Sequence, residues 1–565
     1  MLSFKDDSIL DTPTPKGVTE LSNYQLVGFL EEDHQYARTF REVFPNFVYA
    51  EKQWWQPLRQ DSKMTKITIV FFFLASSFAV FGQSIDEPFS IEKMEKDLEI
   101  FKEIRQTANS GLYKYRTKQQ IDSLYEWAGD EIQNISTYIG FYNLISTLTD
   151  FEGSLHNNTS LPQKYLESIL AEENGYFPYP LKWIEGKWLL NYENGDLPLG
   201  AEITVINDVP ISEVIVHLHK YYTTDGINTT GKRIGVSSAF SRYYRYHYGL
   251  KDTFEISFIA PNSNIEETLK TASVRYADYR VNFRKRHSHP FDKLQFKRIQ
   301  KNERYAYKQI DEHTGLLTLN TFGMGNEESE EHLAYKEWLD SVFIAMKDHE
   351  LENLIVDVRN NGGGDDPNDV VTYSYLTNRT FQESKEAWIS FDKVPLLKYY
   401  DSPFPRILRP LGVGKFNRDF QKRFPREEDG RFYISKASNE MKIRQPDDNA
   451  FKGNIYLLIS PRVASAGSLF AALVAGNDNT TSIGEETMGG YYGHNGHTPF
   501  GYVLPRSKIV TEFSIDNITQ DVPEKPNQFY NRGVIPDYEV LQSFEDFLAN
   551  KDTQMEFVLQ LIKEK

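Results

Sequence analysis

A serine in a turn of small residues, a glycine loop at the end of an apolar strand, and a set of histidines are the parts of this chain that could do chemistry. Ser465 lies in "SPRVASAGSLFAALVAG", residues 460–476, where the strand-like "NIYLLIS" feeds into a helical pattern. If a helix begins near Ser465, the N–H groups of its first turn lack intrahelical partners and face the serine. Such a setting favours an alkoxide or an oxyanion. Ala464, Ala466 and Gly467 leave room for a substrate carbonyl. Read alone, a serine in such a turn is more often structural than nucleophilic. Upstream, "LIVDVRNNGGG" ends a continuous apolar strand in Arg359, two asparagines and Gly362-Gly363-Gly364. Glycines there let backbone N–H groups approach a ligand closely. A phosphate loop is excluded, because no Gly-Lys-Ser/Thr follows and Asp365-Asp366 would repel phosphate. Rigid N–H donors for an oxyanion suit the glycines better; a plain strand-ending turn is the alternative. Any of twelve histidines could serve as a base. His313, His332 and His349 read as surface positions. His494 and His497 form an H-x-x-H pair in "GGYYGHNGH", but no acidic motif accompanies them. A solvated loop without metal is the expectation there, and no cofactor is implied.

These residues need a scaffold of alternating strands and helices. From Gly315 onward the chain supplies one: "GLLTLN", the amphipathic "SEEHLAYKEWLDSVFIAMKDH", the buried strand into the glycine loop, then "NIYLLIS" and the serine helix. This α/β order is assigned to residues 300–545, with 376–449 as an insertion of loops and aromatics. Residues 84–160 read as a helical domain. Ile91, Met94, Leu98 and Phe101 lie at helical spacing, as do Ile121, Leu124 and Trp127 in the next helix. Residues 161–280 alternate apolar and polar residues with turns at Glu185-Gly186 and Asn207-Asp208, a β-rich pattern.

Composition bounds the function. The net charge of −17 argues against nucleic acid as a partner. With no cysteine, disulfides, thiolate catalysis and cysteine-ligated zinc are excluded. Residues 64–83, "MTKITIVFFFLASSFAVFGQ", have a positive start, a short apolar core and a small-residue exit. That is the form of a secretory signal, implying a periplasmic or extracytoplasmic protein; a membrane anchor formed by the same segment is the alternative, and it leaves transient membrane proximity open. Residues 1–63 then read as an upstream extension of the chain.

Taken together, four motifs are more specific than any one. Asp357–Gly364, Ser465–Ala471, Gly484–Gly489 and Gly533–Asp537 resemble, in content and order, the tail-specific or C-terminal processing serine peptidases and their tricorn-like relatives. The resemblance implies a crotonase/ClpP-like ββα catalytic domain, preceded here by the helical domain and a PDZ-like one; Gly200–Asp208 resembles a PDZ strand pair. It implies Ser465 as nucleophile and an oxyanion hole drawn from the amides of Gly362, Gly363 and Ala466. In the processing branch a lysine is the base, but its place in "GEETMGGYYG" falls on Gly490. The tricorn-like branch uses a histidine, whose place matches His156 in "LTDFEGSLHNN"; His494 and His497 are the rivals. The serine and late glutamate that accompany that histidine are not matched: Leu155 precedes it, and Tyr530 stands near the glutamate's place. The expectation is an exported serine endopeptidase acting on peptides or unfolded proteins. The alternative is a peptide-binding protein that has lost turnover.

Overall fold

The computed structural model describes residues 84–193, 196–286, 299–401 and 409–564, the side chains of 286, 409–413 and 415 excepted. The expected signal and the segment before it lie outside the described residues. Among the described residues, no helix is long and apolar enough to cross a membrane.

The helices of the first part start where capping residues permit. Thr117 and Gln120 form a reciprocal capping box that opens helix Lys118–Glu131, and the Thr137 side chain accepts from Gly140 N to open Tyr138–Phe151. In the first of these, Ile121, Tyr125 and Ala128 are buried, whereas Trp127 is 43% exposed. The sequence reading set Trp127 on the apolar face. A helix turns 100° per residue, so position i+6 has rotated to the far side while i+4 and i+7 return to the face.

Residues 181–272 form an antiparallel sheet with Leu181–Ile184 at one edge and Glu266–Ala272 at the other. Helices Ile211–Leu218 and Thr230–Tyr248 belong to the same segment.

The second half is built on six strands: β1 (Tyr305–Gln309), β2 (Thr314–Leu319), β3 (Asn353–Asp357), β4 (Asn454–Ile459), β5 (Thr480–Gly484) and β6 (Tyr538–Glu539). They lie side by side in chain order, β1 antiparallel to β2 and the rest parallel. Successive side chains of β3 and β4 face opposite layers. Leu354, Val356, Ile455 and Leu457 join the core under the serine helix, whereas Ile355, Tyr456 and Leu458 pack toward Val558 of the C-terminal helix. Long apolar runs in β3 and β4 follow from this two-sided burial. The insertion is not a separate lobe. Its strand Ser384–Ile389 pairs with Asn517–Gln520 and with Arg431–Tyr433.

Candidate active site

The nucleophile candidate sits where strand β4 gives way to helix Ala466–Ala475. Ser465 occupies the N-cap with φ 51° and ψ −134°, in the left-handed region that side chains rarely adopt. Such strain persists only when the surroundings enforce it. They do: Ala464 N donates to Asn361 O at 3.2 Å, and Ser468 N and Leu469 N donate to Ser465 O at 2.9 and 3.1 Å. A side chain at Gly467 would meet Asn361 O at 2.4 Å, so glycine is what permits the serine turn and the glycine loop to touch. Ser465 remains partly exposed.

His156 reaches this turn from the other end of the chain. Its Nε2 lies 3.3 Å from Ser465 Oγ. The loop that carries it follows helix Tyr138–Phe151 and leads into strand Asn158–Ser160, which pairs with Val510–Ser514. Both neighbours are pinned. Asp225 Oδ1 accepts from Leu155 N at 2.9 Å, and Thr223 Oγ1 donates to Asn157 O at 2.7 Å. Behind them Asn157 donates to Glu152 at 2.6 Å, and Glu152 meets the buried Arg105 at 3.4 Å.

The electrostatics keep the ring neutral. Burial, then the nearby His497 charge, hold His156 down to about 3, and the Asn495 backbone opposes them. His494 packs against His156 at a tilt of 58° with ring centroids 4.6 Å apart, and burial holds it well below the ordinary histidine range. His494 is thus beside the pair, whereas His497 is engaged elsewhere: its Nε2 meets Glu383 Oε1 at 2.7 Å. Burial disfavours the charged form of His497, but Glu383, Glu440 and Asp366 push it up to about 10. The loop expected to be solvated is therefore buried, His494 being 1% exposed. The acidic partners absent from its own stretch come from Glu383 and Glu440 of the insertion. His332, read as a surface residue, is also buried; its Nδ1 contacts Asn368 Oδ1 at 2.8 Å.

The three backbone donors differ in state. Gly363 N donates to Asn361 Oδ1 at 2.9 Å, and a side chain at Gly363 would meet Ser465 Cβ at 2.7 Å. Gly362 is exposed. Ala466 is the first residue of its helix, where N–H groups have no intrahelical acceptor. The lysine's place offers no substitute. Gly490 N donates to Asp225 Oδ2 at 2.8 Å, and a side chain there would start 3.1 Å from Tyr115 Oη. Tyr530, near the expected glutamate's place, packs against Tyr115 at 6.0 Å between ring centroids. The reading of the residues alone missed Asn361 and Asp225. The asparagine pair before the glycines was visible, but nothing in Asp225's neighbourhood marks it.

Residues 313–540 match the family model for Peptidase family S41. No curated protein matches the sequence. Among solved structures, mature CPAF shares the fold at a TM-score of 0.55 and 14% identity, over 84% of this chain and 98% of that one. Mature CPAF complexed with lactacystin gives the same TM-score of 0.55 and 14% identity, over 84% and 99%.

Proposed function

We propose, from the match of residues 313–540 to the family model for Peptidase family S41, that the chain is an exported serine endopeptidase using Ser465 and His156. The observation that carries this reading is the 3.3 Å approach of His156 Nε2 to Ser465 Oγ, made by residues 309 positions apart. In the proposed reaction Ser465 Oγ attacks the peptide carbonyl carbon while its proton passes to His156 Nε2. The developing oxyanion lies against the Ala466 N–H, assisted by the Gly362–Gly363 backbone once Gly363 N turns from Asn361. His156 then protonates the leaving amine. Water, deprotonated by the same ring, hydrolyses the serine ester and restores the hydroxyl. The Asn495 backbone takes the orienting part that a carboxylate plays in a Ser-His-Asp triad.

The antiparallel sheet at 181–272 supports a PDZ-like role. Its edge strand Leu181–Ile184 borders a cleft lined by Trp183, Arg233, Pro461, Glu485 and Leu541. A peptide added as a further strand there would run beside the residues flanking the serine turn. Export rests on the sequence of residues 64–83.

The test is labelling by a fluorophosphonate together with cleavage of an unfolded protein. Wild type should label and cleave, and Ser465→Ala should do neither. His156→Ala should lose about 10²- to 10⁴-fold in rate, the usual worth of a general base. If His494→Ala loses as much and His156→Ala little, the base is misassigned. A second reading, a peptide-binding protein without turnover, draws support from how weakly basic burial leaves His156. Peptide binding by an unlabelled wild type would select it.

A further inference from the structure

A second group of ionisable side chains lies beyond the Ser465–His156 pair. Asp366 follows the glycine loop, Asp369 belongs to the first turn of helix Asn368–Ser374, and Glu383 immediately precedes the insertion's strand Ser384–Ile389. One carboxylate oxygen from each lies within 4.8 Å of the other two. Asp369 and Glu383 are both 0% exposed. Asp366 is half-buried and leaves the group one side toward solvent. Neither oxygen of Asp369 takes a hydrogen bond among the described residues, although both are buried.

The cations at hand are committed. Arg423 Nη2 meets Glu440 at 2.7 Å, and His497 Nε2 meets Glu383 at 2.7 Å. Among the described residues, no Lys, Arg or His nitrogen comes within 4.0 Å of the Asp366 or Asp369 carboxylate. Carboxylates gathered out of water demand either protons or a positive ion between them.

We propose that Asp366, Asp369 and Glu383 bind a hard divalent cation, calcium in preference to magnesium or zinc. An all-oxygen donor set selects against soft metals. Magnesium demands a near-ideal octahedron and gives up its waters reluctantly, whereas calcium accepts an irregular set of carboxylates, and the open side at Asp366 admits the waters that complete a calcium shell. Bound there, the ion would tie the glycine loop to the insertion and, through Glu383, to the His497 loop.

The experiment uses the full chain, stripped with EDTA and returned to chelator-free buffer. Elemental analysis after equilibration with calcium chloride should find one calcium per chain. Calcium should raise Tm more than magnesium or zinc at equal concentration. Asp369→Asn should bind calcium at least roughly tenfold more weakly. It should also melt no lower than wild type in EDTA, since it removes an uncompensated charge. Glu383→Gln is the second variant should Asp369→Asn not fold. Absence of stoichiometric calcium on wild type at millimolar concentration overturns the proposal, as does undiminished binding by the folded variant. A larger Tm rise with magnesium or zinc overturns the choice of ion.

Discussion

At Gly496 a methyl group would stand 2.5 Å from His494 Cε1 and 2.7 Å from His156 Cε1. The glycine is therefore a spacer that lets both rings pack beside the serine. Gly496→Ala should lower cleavage by about 10²-fold, the cost of misplacing a catalytic group by roughly 1 Å. Circular dichroism should report an intact fold. The acid limb of kcat/KM against pH should fall well under the ordinary histidine value of about 6.5, toward the about 3 to which burial holds His156. His497 has the opposite sign. Its folded pKa of about 10 exceeds the unfolded value of about 6.5, so its contribution to stability is complete below 6.5 and is lost as pH rises through 10. Melting scans in calcium-free buffer should show Tm falling between pH 7 and 10, with a shallower fall in His497→Gln. At this scale the sequence was unevenly legible. Ser465 could be reached from the strand, small residues and helix around it. His156 could not, because no spacing rule joins positions 309 apart; only the family resemblance pointed to it. The burial of His497 was hidden because its partners lie in a stretch whose own pattern carries no chemistry.

Among the elements, Arg359 holds the end of β3 to the start of the C-terminal helix. Its guanidinium reaches Asp357 at 2.7 Å and Asp552 at 2.6 Å, with 1% of the side chain exposed. Burial opposes its charge, but the two carboxylates more than compensate. Arg359→Ala should cost about 3 kcal/mol or more in urea unfolding, as expected when one partner of a buried ion pair is removed. The α/β alternation was legible, because continuous apolar runs separated by an amphipathic helix mark it; the order of the strands came only from the fold. The phase of the second helix was not, since Trp127 and Tyr125 are both apolar enough to face inward and only tertiary packing decides between them.

Across the described residues, the N-terminal segment and the C-terminal strands share buried and half-buried polar contacts. Arg105 Nη2 donates to Thr511 Oγ1 at 2.8 Å, Asp97 accepts from Arg506 N at 2.9 Å and Ser507 N at 2.6 Å, and Asn158 donates to Glu512 at 3.0 Å. Residues 300–545 expressed alone should therefore neither label with a serine-directed probe nor melt cooperatively, whereas 84–565 should do both. Sequence patterning marks where helices and strands lie, but it cannot show that the two ends of the chain are stitched together. That stitching has a consequence in time. A growing polypeptide emerges from its N-terminus. His156 appears long before Ser465, and the strand that anchors it, Val510–Ser514, appears later still. No nascent chain brings His156 to Ser465 until nearly all of it has been made. The order of synthesis thus defers the meeting of Ser465 and His156 to the end of each chain's making.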